Sequence, residues 1–293
     1  MIASTFDFQT NNIQVLDLDT LQRTHKENDI YGNPLRGVYH YEVINRITEI
    51  CRNSGLNHEV EEIFAAQNRS RQNPGVVILP QVEAIHGTNA AEAHILRRVY
   101  TTIRINDRET PEMTTNIVIA YHQDGIQIAF GPCVKICHNQ CILSPERIAS
   151  NYGKNGGTDE QLFESVSDWM NNFFEYREND LRTLEKMKQI NCTQNDVFQL
   201  IGLLTSLRVA HDSTNPILRN EVKCYPLTQS QISQFTEDYL EKAQETSVLN
   251  LWDIYNIATE MYKPNRTDIP NLIPQNLALM EVLTERYSLQ FCR

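Results

Sequence analysis

The triplet Gln123-Asp124-Gly125 lies between two β-rich runs, Thr115–His122 and Ile126–Phe130. Asp-Gly supplies the positive φ angles of a tight hairpin turn, whose twist matches that of the strands it joins. This commits the middle of the chain to antiparallel pairing. A lone hairpin is unstable in water, so it needs further strands or a covering helix. The flanking sequence offers both. Val76–Leu79 is a short β-branched run, and Cys133–His138 reads as another strand. Between them, Ile95, Val99, Ile103 and Ile105 fall on one parity of Ala93–Ile105, with Arg98, Thr102 and Arg104 on the other. The expectation is an antiparallel sheet of about four or five strands.

Helical signals surround the sheet. Residues 1–37 read as an extended arm with a short strand at Ile13–Leu18, closed by the turn Tyr31-Gly32-Asn33-Pro34. Val43, Ile44, Ile47, Ile50 and Cys51 recur at helical spacing in Val38–Asn53, and Gly55 stops that helix. Val60, Ile63 and Phe64 suggest a second short helix at His58–Ala66. The character changes at Ser144-Pro145-Glu146, which reads as a helix start, and Asn151–Gly157 is glycine-rich. Thr158-Asp159-Glu160-Gln161 is a capping box that opens a long helix to about Gln189. Thr193 and Thr228 cap two more, Asn250–Tyr262 is a fourth, stopped by Lys263-Pro264, and Asn276–Leu289 is a fifth. The fold class is α+β: an antiparallel sheet with helices in the N-terminal half, then a helical C-terminal half. The expected division is an α+β domain at 1–143, a linker at 144–157 and a helical domain at 158–293.

Charge and cysteine usage exclude several classes. The 293 residues carry a net charge of -11, with 12 Lys and Arg against 16 Asp and Glu in residues 1–142 and 14 against 21 in 143–293. General nucleic-acid binders need a basic face to displace counterions from phosphates, so the overall balance argues against that class while leaving a local patch open. Apolar runs such as Gly75–Pro80 and Ile117–Ala120 fall far short of the roughly 20 residues that span a bilayer. Met1–Asp7 has neither a basic nor an apolar leader region, which predicts a cytoplasmic protein. An odd seven cysteines in a chain of this length argue for free thiols over a disulfide framework.

Three groups of residues are candidates for chemistry. Cys133, Cys137, His138 and Cys141 lie within nine positions and offer a tetrahedral metal set, against the reading that they are small core residues on a strand. Their spacing departs from the common paired zinc knuckles. Glu83, His86, Glu92 and His94 offer a second, incomplete metal pattern interrupted by Gly87-Thr88-Asn89. Arg97, Arg98 and Arg104, with Tyr100 as a stacking residue, form a basic ridge able to follow a single strand, against a solvated sheet face whose arginines pair with the acidic helical half. Of the aromatics, Phe174 and Tyr176 fall off the main buried stripe. They join Trp252 and Tyr255 as protein-interaction candidates, with Tyr255 placed to anchor the helical bundle. No nucleophile elbow, phosphate loop, His-Glu-x-x-His or dinucleotide fingerprint is present.

Two segments carry a resemblance. Asn250-Leu251-Trp252-Asp253-Ile254-Tyr255-Asn256-Ile257-Ala258-Thr259-Glu260 resembles the Leu-Trp-x-x-Tyr-Asn-x-x-Thr signature of an uncharacterised phage/plasmid-like protein family carried on prophages and other mobile elements. Gly125–Cys141 is similar to that family's glycine-containing hairpin followed by a Cys-x-Asn element, here Cys137-His138-Asn139. The helix Asp196–Leu204 also fits, and the likeness spans residues 95–290. Cys133 and Cys141 stand as additions to the pattern. The family implies no catalytic residues. It implies an accessory role on a mobile element, and length and acidity make the chain similar to the phage proteins that block the Gabija defence complex. The resulting expectation is a non-enzymatic protein without cofactors. It would bind and inhibit a host anti-phage complex, form homo-oligomers and stay off membranes. The alternative is a single-stranded nucleic-acid binding or annealing protein.

Overall fold

The structure is a computed structural model that describes residues 13–23, 40–66, 98–107, 110–122, 125–135, 137–151, 157–222, 224–246, 248–263 and 269–289. Strands β4 (Met113–His122) and β5 (Gly125–Val134) pair across the predicted hairpin with His122 opposite Gly125, which takes a φ of 152°. They belong to a six-stranded antiparallel meander completed by β1 (Ile13–Leu16), β2 (His58–Ala66), β3 (Arg98–Ile105) and β6 (Ile148–Ser150), in the order β1-β2-β3-β4-β5-β6. Val76–Leu79 and Ile95 lie outside the described residues.

Strand β2 corrects the helix expected at His58–Ala66. Val60 pairs with Ile103 and Ile63 with Thr101, so Glu61 and Glu62 together oppose the single residue Thr102. That bulge adds one residue to the strand. It turns a spacing of two into a spacing of three, which on paper looks helical. Glu and Ala favour helix, but pairing with β1 and β3 on both sides overrides the local preference.

Period-two alternation divides the sheet between two cores. Ile103, Ile105, Ile117, Ile119, Ile128 and Phe130 face α1 (Leu18–Arg23), α2 (His40–Asn53) and α3 (Asp159–Asn171). Phe130 lies parallel to Trp169 at 6.0 Å and edge-on to Phe173 at 6.2 Å. Such ring pairs each add about 0.5–1.5 kcal/mol beyond burial. On the other face Tyr100, Val118, Ala120 and Ala129 meet the remaining helices. These are α4 (Phe173–Gln189), α5 (Gln194–His211), α6 (Pro216–Glu221), α7 (Gln229–Glu245), α8 (Leu251–Thr259) and α9 (Ile269–Tyr287), of which α9 touches β3, β4 and β5. The sheet is therefore the middle of three layers, and every residue of β4 from Met113 to Ala120 is buried.

The caps explain where the helices begin. Thr158 closes the capping box expected of it, Thr193 and Thr228, expected as caps, close boxes with Asp196 and Gln231, and Asn250 closes a fourth with Asp253. The long helix expected to Gln189 is instead two, α3 and α4. Asn172 breaks it, donating its side-chain amide to the Asp168 carbonyl at 3.0 Å and carboxylate at 3.1 Å. Helix α9 starts earlier than the expected Asn276. Pro270 falls in its first turn and Pro274 is accommodated within it. The interval 144–157 holds a short 3-10 turn at Pro145–Arg147 and strand β6, which pairs with β5. Both cores draw residues from both sides of this interval.

Helix α4 passes from one core to the other, with Phe173 in the first and Leu184 and Met187 in the second. Buried polar groups occupy the crossing. Arg147 meets Asp180 at 3.1 Å and lies 3.8 Å over the Tyr176 ring, while Arg177 donates to the Met113 carbonyl at 3.4 Å. Burial pushes the Asp180 carboxyl up to about 6, and it lowers the Arg147 guanidinium. Desolvation thus outweighs mutual attraction in this pair. Among the described residues no helix is long and apolar enough to cross a membrane.

Candidate functional site

The chain leaves β5 through a tight turn and doubles back, which corrects the strand expected at Cys133–His138. Strand β5 ends at Val134, His138 takes a φ of 55°, and Val134 N–H donates to the Asn139 carbonyl at 3.1 Å. The returning segment lies so close to β5 that a Cβ on Gly131 would sit 2.2 Å from the Cys141 carbonyl oxygen. Glycine at 131 is what permits this approach.

The return segment is clasped by the Trp252 motif. Tyr255 is fully buried; its hydroxyl accepts from Ile142 N–H at 3.2 Å and donates to Asn276 Oδ1 at 3.0 Å. Asn276 Nδ2 in turn donates to the Gln140 carbonyl at 2.7 Å. Asn139 Nδ2 donates to the Asn256 carbonyl at 2.9 Å, which also accepts from the Thr259 hydroxyl at 3.1 Å. The two segments that carried the resemblance are thus two halves of one buried lock. Trp252 and Tyr255 are core residues, which agrees with Tyr255 as an anchor of the helical bundle and leaves neither ring on the surface for a partner, because both fill the space between α8 and its neighbours.

The same turn forms one wall of an open pocket of about 370 Å³, lined by Glu61, Arg104, Asn106, Thr114, Cys133, Lys135 and His138. It joins residues from two separate sequence groups, the basic ridge and the cysteine cluster. The pocket is polar and its charges are largely matched. Arg104 meets Glu59 at 2.6 Å and lies 3.9 Å from Glu61, and Glu61 also accepts from Thr102 and, at 3.4 Å, from Asn116. Burial and the neighbouring Glu61 carboxylate push the Cys133 thiol up to about 12. Burial also raises Cys137 and, further, Cys141. Protonated thiols are poor nucleophiles and poor metal ligands. His138 is exposed on the turn while Cys133 and Cys141 are buried. Among the described residues no group of three or more His, Cys, Asp and Glu is placed to hold a metal ion.

The basic ridge is only partly visible. Arg97 lies outside the described residues, as do Glu83, His86, Glu92 and His94, and of Arg98 only the backbone is described. Tyr100 is buried under the second helical layer against Phe64, which corrects its assignment as a stacking residue for bases. Arg104 finds its acids on the adjacent strand β2, not in the helical half.

A different surface emerges at the break between α3 and α4. Phe174 rests edge-on to Phe173 at 5.3 Å yet remains 49% exposed. Tyr176 is half-buried, its ring 3.8 Å from the Arg147 guanidinium. Glu160, Glu164 and Asp168 recur every four residues on the exposed side of α3, and Glu175 and Glu178 continue the acidic run on α4. From Gly157 to Asp180 the single Lys or Arg is Arg177, and it is buried. Sequence reasoning had Phe174 and Tyr176 but missed the stripe, although its four-residue spacing was in plain view. No protein-family model, curated protein or solved structure matches the chain.

Proposed function

We propose that the chain is a non-enzymatic accessory protein of a phage or other mobile element that binds and inhibits a host defence complex of the Gabija-like nuclease type. The observation that carries this reading is the half-exposed Phe174 set among the exposed carboxylates of Glu160, Glu164, Asp168 and Glu175 at the α3–α4 break. An acidic surface with a central aromatic suits a basic groove that otherwise holds nucleic acid: the charges give steering and the ring gives a desolvated anchor. The observations behind a single-strand binder are weaker, since Tyr100 is covered and Arg104 is engaged by Glu59 and Glu61.

The test is affinity purification of the tagged protein from a host carrying several defence systems, with and without nuclease. A stoichiometric defence subunit that survives nuclease, and is lost with Phe174→Ala or with Glu164→Lys and Asp168→Lys together, supports the proposal. Nucleic acid in the untreated arm with no protein partner in either arm overturns it in favour of the single-strand reading.

A further inference from the structure

Helix α5 is apolar on more sides than the molecule buries. Val197, Leu200 and Leu204 point into the core, yet Phe198 is 45% and Val209 63% exposed. Phe198, Gly202, Thr205 and Val209 recur at alternating spacings of four and three, the period of a helix seam that faces another helix. From Val197 to Leu207 the helix carries no charged residue. Ile217 and Leu218 on α6, which packs on α5, extend the exposed apolar surface.

Gly202 stands at the centre of the helix. Glycine is the poorest helix former after proline. Nothing in the fold asks for it here, because its φ is not positive and an added Cβ would meet no atom within 4 Å. Among the described residues nothing fills the room that the missing side chain leaves on the outer face.

We infer that this face is the contact between two copies of the chain, with α5 crossing its counterpart antiparallel on a two-fold axis at Gly202. The occupant follows from charge and shape. Each copy carries a net charge of -11, so two copies repel except where charge is absent, and this strip is such a place. A cationic partner would find no carboxylate to grip here. A two-fold axis at Gly202 sets Phe198 opposite Ser206 of the second copy and Asn195 opposite Val209, so each large side chain meets a small or uncharged one. Isologous contacts require this self-complementarity. At roughly 1.5 Å per residue and 10–12 Å across, α5 supplies a footprint of about 300 Å². A standard interface takes about 800 Å² from each partner, so α6 must contribute and the dimer falls at the weak end, in the micromolar range.

Sedimentation velocity of the full chain from about 1 to 300 μM tests this. The expected result is a monomer–dimer equilibrium that Val209→Glu weakens at least tenfold with unchanged circular dichroism. Gly202→Ala separates this role from a purely local one: better helix propensity raises the melting temperature of the dilute monomer, while the added methyl at the crossing weakens the dimer. Gly202→Cys should give a disulfide-linked dimer under mild oxidation, with wild type and Val209→Cys as controls that do not. A strict monomer throughout the range, or a dimer indifferent to Val209→Glu and Gly202→Ala, overturns the inference, as does cross-linking at position 209 in preference to 202. The inference stands apart from the inhibitor reading. A monomer that still retains a defence subunit defeats this inference alone, and a dimer that retains none defeats only the proposed function.

Discussion

Single atoms decide the most sensitive positions. Tyr255→Phe removes one hydroxyl and strands both Ile142 N–H and Asn276 Oδ1 inside the lock. Leaving buried polar groups unsatisfied costs about 1–3 kcal/mol, so urea unfolding should show a loss of that size with an unchanged slope. Gly131→Ala forces a methyl against the Cys141 carbonyl, where the obstacle is backbone and cannot rotate away. Overpacking of this kind costs roughly 1–3 kcal/mol, and the upper end is expected, read as a lowered denaturation midpoint. The lock also shows what sequence reading misses. Asn139 and Asn256, or Tyr255 and Ile142, lie more than a hundred positions apart. Each looked locally complete as a turn residue or a helix residue. The motifs were legible, but their meeting was not, because no periodicity encodes contact between distant segments.

Among the elements, α4 carries the most unusual burden, a buried ion pair between two apolar cores. Removing one partner with Arg147→Met leaves the buried Asp180 without its ion pair and with Arg177 as the nearby positive charge, at an expected cost of about 3 kcal/mol, the lower end for a broken buried pair. Adding Asp180→Leu should recover most of that loss in a double-mutant cycle of chemical denaturation. The pair also makes a pH signature. Burial raises Asp180 in the folded state from 3.8 to about 6, so between those values the native chain holds a proton that the unfolded chain has released. Its stabilising contribution is full below the lower value and is lost as pH rises through the upper. Relative to Asp180→Asn, the wild type should therefore lose about 2 kcal/mol between pH 4 and pH 7 in paired urea titrations. Elements announced by local chemistry were readable: the Asp-Gly hairpin, the α2 stripe and the capping threonines. Those decided by tertiary partners were not. The bulge of β2 disguised a strand as a helix, and Asn172 split a helix whose apolar stripe ran straight through it.

At the scale of the whole molecule, charge is segregated. The α3–α4 break presents acid around Phe174, while α5 carries no charge from Val197 to Leu207. If the acidic face steers a basic partner, the association rate should fall steeply between about 50 and 300 mM salt while dissociation changes little, as surface plasmon resonance can read. Phe174→Ala should do the reverse, raising the dissociation rate and sparing the salt dependence. Of the two faces, Phe174 and Tyr176 were legible in the sequence, while the acidic stripe around them and the apolar face of α5 were not singled out, since each residue type is ordinary on a helix surface and exposure is what distinguishes it. The shared sheet has its own consequence. Because β4 is a wall common to both cores, neither helical layer can melt without exposing the back of the other. Heating should yield one calorimetric transition rather than two, and the amides of Ile117–Ala120 should be the last in the chain to trade hydrogen for deuterium.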